Sequence, residues 1–213
     1  MTAVKAREGQ DEVATRLLAE AGRLLAEHGP SALSLRRVAA EAGTSTMSVY
    51  TRFGDKGRLL AEMYRDGFRR LGAALLAVPQ TRQPMADLFE LGLAYRRAAL
   101  DNHQVYDLMF GHPVPEFRPD EQSRATADAA YRPLVEAVRR CLDVGVLAGT
   151  DAERIALHLW SVSHGMVSLE LNGHLPAGDL EQRYVEALVY AGTPFLPSDG
   201  QGTPDVGATS SAD

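Results

Sequence analysis

Apolar residues recur every three or four positions along most of the chain, which is the spacing of one face of an α-helix. Gly, Pro and short polar segments interrupt this spacing and separate about nine predicted helices. No segment alternates as a β-strand does, and there is no internal repeat, so the sequence predicts an all-α fold. The helices are expected at about residues 11–28, 35–42, 44–53, 56–78, 85–101, 104–110, 121–144, 152–171 and 180–190.

The lengths of these helices suggest two domains. We expect a three-helix N-terminal domain at 11–55, a connecting helix at 56–78 and a helical domain at 79–196. The connecting helix has a broader apolar face than three short helices can cover, so it should pack on both domains. Residues 1–10 are expected to form a disordered arm and residues 197–213 a disordered tail, because both are polar and lack apolar periodicity.

Two short helices in the N-terminal domain have the pattern of a helix-turn-helix. Ala39 is small where two helices would cross, and Gly43 suits the left-handed residue of a tight turn. Val49 would then pack the second helix against the first. Ser34, Thr44 or Ser45, and Asp55 are candidate N-caps. A helical corner with no DNA role would explain these positions equally well.

The second of these helices would expose hydroxyl groups, one Met, one Tyr and one Arg. Hydroxyls reach phosphates and base edges in a DNA major groove, and Met or Thr methyl groups can contact thymine methyls. Lys56 lies at the first turn of the next helix, where its ammonium and the helix amides could share a phosphate. The candidate DNA contacts are Ser34, Arg36, Thr44, Ser45, Thr46, Met47, Ser48, Tyr50, Thr51, Arg52 and Lys56.

The charge distribution changes the meaning of the net charge of −6 over 213 residues. Residues 1–70 contain 12 Lys and Arg against 9 Asp and Glu, whereas residues 71–213 contain 10 against 19. A basic N-terminal part on an acidic remainder is typical of a DNA-binding domain attached to another domain. The single Cys141, the lack of a long apolar segment and a polar N-terminus favour a cytoplasmic protein without a membrane partner.

Three motifs follow one another in residues 11–64: His28-Gly29, the segment from Leu35 to Gly43, and Val49-Tyr50-x-x-Phe53-x-x-Lys56-x-x-Leu59-Leu60. In the order and spacing of these motifs, the segment resembles the tetracycline-repressor (TetR) family of one-component transcription regulators. The resemblance implies that Tyr50 and Lys56 contact phosphates and that residues 44–48 face bases. Thr46, Met47 and Gly57 depart from the usual family pattern, which leaves the operator sequence open. Trp160, His164 and Gly165 resemble the C-terminal domain type that is named for these three residues.

The resemblance also implies an effector pocket in the C-terminal domain. Pockets for small molecules are mostly apolar, with a few polar groups that orient the ligand. For any single residue, a place in the plain core is the alternative. The candidate pocket residues are Phe68, Tyr95, His103, Tyr106, Met109, Phe110, Tyr131, Trp160 and His164.

The helix at 152–171 is apolar on two faces, so one face could pack into its own domain and the other against a second subunit. The alternative is that both faces serve one core. The candidate residues of a homodimer interface, with those of the helix at 180–190 included, are Ile155, Leu159, Val162, Met166, Leu169, Tyr184 and Leu188.

Enzyme motifs are absent: the chain has no Gly-x-Ser-x-Gly, no phosphate-binding Gly loop and no His-Glu-x-x-His. Glu170 and His174 are four residues apart, but a capped helix end explains them better than a metal site does. We therefore expect no cofactor and no metal. The sequence predicts a dimeric repressor that binds a palindromic double-stranded operator and responds to a small apolar or amphipathic effector. A helical interaction module without DNA binding, or a helical enzyme, is the alternative.

Overall fold

The computed structural model describes residues 2–111 and 113–197, with side chains described from residue 12 onward. This part of the chain forms nine α-helices and two short 3-10 turns, and it contains no β-strand, so the all-α prediction is confirmed. The helices are α1 (Thr2–His28), α2 (Leu35–Glu41), α3 (Thr46–Phe53), α4 (Lys56–Leu76), α5 (Pro84–Asp101), α6 (His103–Phe110), α7 (Glu121–Asp143), α8 (Ala152–Leu171) and α9 (Leu180–Gly192). No helix among the described residues is long and apolar enough to cross a membrane.

Helix α1 begins at Thr2, whereas the sequence placed its start at Asp11 and a disordered arm before it. The segment from Ala3 to Glu8 contains no Pro and several strong helix formers, so it can continue the helix in the N-terminal direction. The predicted arm is therefore corrected for the residues from Thr2 onward. The predicted tail lies, beyond Pro197, outside the described residues.

Side chains cap the N-terminal ends of α2, α3 and α4. Ser34 Oγ accepts a hydrogen bond from the amide of Arg37 at 3.2 Å, and Ser45 Oγ accepts one from the amide of Ser48 at 3.1 Å. The carboxylate of Asp55 accepts a hydrogen bond from the amide of Arg58 at 2.8 Å at the start of α4. Each cap pairs an amide that the first helical turn leaves without a partner. The three predicted N-cap positions are confirmed.

Helix α4 joins the two domains because it belongs to the core of both. Its first half packs on α1 and α3 and contributes Leu59 and Leu60, and its second half packs on α5, α6 and α7. Gly72 allows α7 to approach closely, since a Cβ placed on it would lie 3.3 Å from the Cα of Ala130. The expectation that this helix packs on both domains is confirmed.

Two ionic groups with little solvent exposure hold the C-terminal domain together. Asp87 of α5 accepts hydrogen bonds from the amide and the hydroxyl of Thr81, both at 2.7 Å, and from Arg140 of α7 at 3.0 Å. Arg96 of α5 forms two hydrogen bonds to Glu170 of α8, at 2.8 and 2.7 Å. Because each charge lies beside a charge of opposite sign, its burial costs less free energy than the burial of an isolated charge would.

Cys141 is fully buried in α7. Burial raises the pKa of its thiol to about 11. The thiolate is the reactive form of cysteine, so this side chain acts as a small apolar core residue.

Candidate DNA-binding surface and effector cavity

Helices α2 and α3 meet at a sharp turn with the geometry that the sequence predicted. Gly43 has a φ of +62°, in the left-handed region that a side chain would disfavour. Val38, Ala39, Val49 and Phe53 are buried against the rest of the N-terminal domain. This packing fixes the orientation of α3 and leaves its opposite face in solvent.

The outward face of α3 has the polar and flexible side chains expected from the sequence. Met47 is 73% exposed and Tyr50 is 51% exposed, and neither packs on the core. Thr51 and Arg52 are also exposed, whereas the side chains of Thr44, Thr46 and Ser48 are half-buried. Two of the candidate DNA contacts, Ser34 and Ser45, are helix caps whose hydroxyl oxygens accept hydrogen bonds from backbone amides. Their hydroxyl hydrogens remain available to an acceptor.

Positive charge on this surface comes from arginines that intramolecular carboxylates do not neutralise. Arg36, Arg37 and Arg52 are exposed and form no ion pair within the described part of the chain. Arg65 and Arg69, on the neighbouring face of α4, both pair with Glu62 at 2.7 and 2.8 Å. Arg37 was not among the sequence candidates, although its position beside Arg36 could have indicated it.

Lys56 has a partner that the sequence did not reveal. Its Nζ donates a 2.8 Å hydrogen bond to the carbonyl oxygen of Pro30, and the side chain is half-buried. The ammonium has three hydrogens, so two remain for other acceptors. Lys56 therefore ties the start of α4 to the turn after α1, whatever else it contacts.

A cavity of about 280 Å³ lies in the C-terminal domain between α4, α5, α6, α7 and α8. Six of the predicted pocket residues line it: Phe68, Tyr95, Met109, Phe110, Tyr131 and Trp160. Its wall also includes Tyr64, Asp128 and Ser163, which the sequence candidates missed. The family resemblance implied a pocket, and the aromatic and Met side chains of the helices indicated the six residues, whereas nothing local in the sequence indicated which polar residues would join them.

Two further candidates, Tyr106 and His164, lie behind this wall and form a polar cluster with Tyr95. The hydroxyl of Tyr106 is 2.7 Å from His164 Nδ1 and 3.0 Å from the hydroxyl of Tyr95. Burial lowers the pKa of His164 and raises the pKa values of both tyrosines, so all three groups are neutral near pH 7. A neutral Nδ1 can accept the Tyr106 hydrogen, and the Tyr106 oxygen can accept that of Tyr95.

A second apolar cavity, of about 580 Å³, lies between α5, α8, α9 and the turn at Thr193–Phe195. Leu159 and Leu188 belong to its wall, and Gly92, Leu134 and Ser163 line both cavities. The two cavities are thus neighbours with shared walls.

Two family models match the chain over the regions that carry these features. The model described as bacterial regulatory proteins of the tetR family matches residues 17–63, and the model described as a tetracyclin repressor-like C-terminal domain matches residues 88–191. The chain belongs to the TetR family. This family consists of DNA-binding transcriptional regulators, which usually form dimers, and not of enzymes. The Trp-His-Gly subtype of the C-terminal domain stays a prediction.

Curated relatives of this TetR-family chain come from mycobacteria. An HTH-type transcriptional regulator of Mycobacterium tuberculosis is 23% identical over 154 residues, which is 69% of this chain and 64% of that protein. An HTH-type transcriptional repressor of the same species is 32% identical over 130 residues, which is 58% of this chain and 66% of that protein. The matches therefore span just under two thirds of the length of these relatives.

Solved structures support the same fold. A protein of unknown function from Rhodococcus sp. RHA1 is 28% identical, with 87% of this chain and 96% of that chain covered and a TM-score of 0.75. A TetR family transcriptional regulator from Thermus thermophilus is 24% identical, with 83% and 94% covered and a TM-score of 0.66. At this identity the second likeness concerns the fold alone.

Three predicted site residues of this TetR-family chain are placed elsewhere. His103 lies exposed at the start of α6, with Nδ1 3.0 Å from the carbonyl oxygen of Leu100, and it does not line the cavity. Ile155 and Tyr184 are buried in their own subunit, so they cannot face a partner. The Tyr184 hydroxyl donates to the carbonyl oxygen of Gly92 at 2.9 Å, which turns the ring inward.

The apolar residues that α8 and α9 expose are a partly different set from the predicted interface. Leu169 is 43% exposed and Tyr190 is 72% exposed, and Leu157 and Val189 are exposed as well. Leu159, Val162, Met166 and Leu188 are half-buried. The outward face of α8 and α9 is defined here as Leu157, Leu169, Val189 and Tyr190.

Proposed function

We propose that this TetR-family chain is a transcriptional repressor that binds a palindromic operator as a homodimer and releases it when a small apolar or amphipathic effector enters the cavity. The observation that carries the proposal is the face of α3, which is rigidly mounted, exposed and flanked by arginines that no carboxylate of the described chain neutralises. Phosphate contacts position a protein on DNA, and side chains in the major groove read the bases.

In this proposal α3 enters the major groove. Met47 is the more exposed of the two large side chains Met47 and Tyr50, so its thioether is placed to contact base edges together with the Thr46 hydroxyl and methyl. Tyr50, Arg36 and Arg52 surround this centre and would contact phosphates on either side of the groove. Arg37 joins the phosphate contacts because it is exposed beside Arg36.

The outward face of α8 and α9 would form the dimer interface. Four large apolar side chains exposed on two adjacent helices favour association with the same face of a second copy. A two-fold axis through this face would pair two α3 helices on successive major grooves, about 34–36 Å apart. The acidic charge of the C-terminal domain keeps its surface away from DNA phosphates.

Helix α6 is placed to transmit occupancy of the cavity to the DNA-binding domain. Met109 and Phe110 line the cavity from α6, and Val105 on the same helix faces α1, where a Cβ on Gly22 would lie 3.1 Å from Val105 Cγ1. Cores this closely packed do not absorb a displaced side chain locally. An effector that moves Met109 would therefore shift α6 against α1 and change the separation of the two α3 helices.

Selection of bound sequences from a random double-stranded DNA pool tests the proposal. We expect enrichment of an inverted repeat whose half-sites are about one helical turn apart. Enrichment of a single half-site would contradict the dimeric arrangement, and no enrichment at all would contradict sequence-specific DNA binding.

A further inference from the structure

The aromatic rings of the first cavity form a continuous array. Neighbouring ring centroids lie 4.8 Å apart for Tyr64 and Phe68, 5.2 Å for Phe68 and Phe110, 6.2 Å for Phe110 and Trp160, and 5.5 Å for Trp160 and Tyr131. The face of an aromatic ring carries partial negative charge and attracts cations whose centre lies within about 6 Å. All five rings line the cavity, so an occupant lies beside several aromatic side chains at once.

Charge on the cavity wall has one sign. Asp128 of α7 is the only charged residue among the described residues that line the cavity. It is exposed, and it forms neither a hydrogen bond nor an ion pair with the part of the chain that the structure describes. Asp128 also acts electrostatically on Tyr64, whose pKa is raised mainly by burial and further by this carboxylate.

Two further charged residues near the aromatic cavity do not make its wall positive. Glu153 lies close enough to Tyr131 to add to the raised pKa that burial gives the phenol. Arg124 acts in the opposite direction on Tyr64, but its Nη1 donates a hydrogen bond to the carbonyl oxygen of Pro119 at 2.5 Å and does not enter the wall. An anionic head group would therefore meet the Asp128 carboxylate with no basic residue in the described wall to pair with.

The second cavity offers a different chemistry. No charged residue lines it in the described part of the chain, and its wall consists mainly of Leu, Phe, Met and Val side chains. Gly92, Leu134 and Ser163 line both cavities, so the aromatic cavity and the apolar cavity adjoin at these residues. Burial of methylene groups there would add affinity in proportion to the apolar area removed from water.

We infer that the effector is a monocationic amphiphile, with a substituted ammonium head in the aromatic cavity and an alkyl chain in the second cavity. This inference rests on the proposed effector site and names the class of molecule that the site binds. The ring faces and Asp128 select the positive head over a neutral or negative one. The shared wall of the two cavities selects an elongated molecule over a compact one.

Trp160 provides a direct measurement because it is the only tryptophan of the chain and lines the aromatic cavity. Its fluorescence is titrated on the full chain, at physiological salt and below micelle-forming concentrations, with decyltrimethylammonium, 1-decanol and decanoate. We expect decyltrimethylammonium to bind about tenfold or more tightly than decanoate and more tightly than 1-decanol. Hexyltrimethylammonium should bind more weakly, by up to about fourfold for each methylene removed.

Two substitutions separate the contributions of charge and aromatic rings. Asp128→Asn should weaken decyltrimethylammonium binding about two- to fivefold and leave 1-decanol unchanged, since the carboxylate is exposed and partly screened. Tyr131→Leu should weaken binding of the cation more than binding of 1-decanol. Asp143→Asn, the same change on the same helix at a residue that lines neither cavity, is the matched control and should change neither affinity.

Equal or tighter binding of decanoate or 1-decanol would overturn the inference, and so would an unchanged affinity for the cation in Asp128→Asn. The titration contains no DNA, so its failure would leave the operator selection unaffected. A failed operator selection would likewise leave the fluorescence result intact, so the two proposals can fail separately.

Discussion

The ammonium group of Lys56 donates a hydrogen bond to the carbonyl oxygen of Pro30 at 2.8 Å. This bond connects the first turn of α4 with the turn that follows α1. The same side chain is the phosphate contact that the family resemblance implies. Lys56 is therefore expected to have two roles that a substitution would remove together.

Lys56→Ala should lower the free energy of unfolding by about 1 kcal/mol, because the hydrogen bond from Lys56 to the Pro30 carbonyl oxygen is lost and that oxygen keeps only the amide of Leu33 as a donor. It should also weaken DNA binding for all sequences and reduce the salt dependence of binding by about one phosphate contact. Thermal unfolding and binding at several salt concentrations measure the two effects. A reduced stability with an unchanged salt slope would restrict Lys56 to its structural role.

Met47→Ala should change the sequence preference of the protein without destabilising it. The side chain is 73% exposed and touches no core residue. The free energy of unfolding should therefore stay within about 0.5 kcal/mol of the wild-type value. Selection from a random DNA pool should show altered preference at the positions opposite α3. A uniform loss of affinity for all sequences would mean that Met47 contacts no base.

Leu169→Glu should convert the proposed dimer into monomers, because it places a charge on the outward face of α8 and α9. Leu76→Glu is the matched control, since Leu76 is also exposed but lies at the end of α4, away from that face. Light scattering measures the mass of both variants. A Leu169→Glu protein that remains dimeric would place the interface elsewhere.

Stability in acid should depend on Asp87. The hydrogen bonds from Thr81, together with Arg140, hold the pKa of this carboxyl below its ordinary value. A carboxylate with a lowered folded-state pKa stabilises the protein above its unfolded pKa of about 3.9, and this contribution is lost as the pH falls through the folded-state pKa. Asp87→Asn should therefore be less stable than the wild type near neutral pH, and the difference should shrink below about pH 4.

Chemical unfolding over a pH series measures this difference. Asp143→Asn serves as control because that carboxyl is exposed and lies outside the hydrogen-bond network of Asp87. A difference between Asp87→Asn and the wild type that stays constant with pH would assign the loss to geometry and not to charge.

Local signals in the sequence predicted the DNA-binding domain well. Gly43 and the caps at Ser34, Ser45 and Asp55 act within a few residues of themselves, so their types indicate turns and helix starts directly. The same holds for the apolar faces that define the helices of the described chain.

The C-terminal domain was harder to predict because its residues interact over long distances in the sequence. Helix α8 is apolar nearly all round, so periodicity could not show that Ile155 points inward and Leu169 outward. No local sequence pattern indicates the roles of Asp87 and Asp128. The hydrogen-bond partners of Asp87 are on the preceding loop and on α7. Asp128 lines the cavity only because several helices pack together around it. His103 is polar and close in sequence to residues that line the cavity, but it lies at the start of α6 and is exposed to solvent.

The continuity of α4 has a consequence for how such regulators diversify. Leu59 and Leu60 belong to the same buried cluster as Leu17, Leu24 and Val49, so a fragment that ends before α4 would lack part of this core. Residues 11–55 therefore do not form a domain with a complete core of their own. A chimaera that takes its DNA-binding specificity from a homologue would therefore have to include α4 of that homologue, which also lines the aromatic cavity.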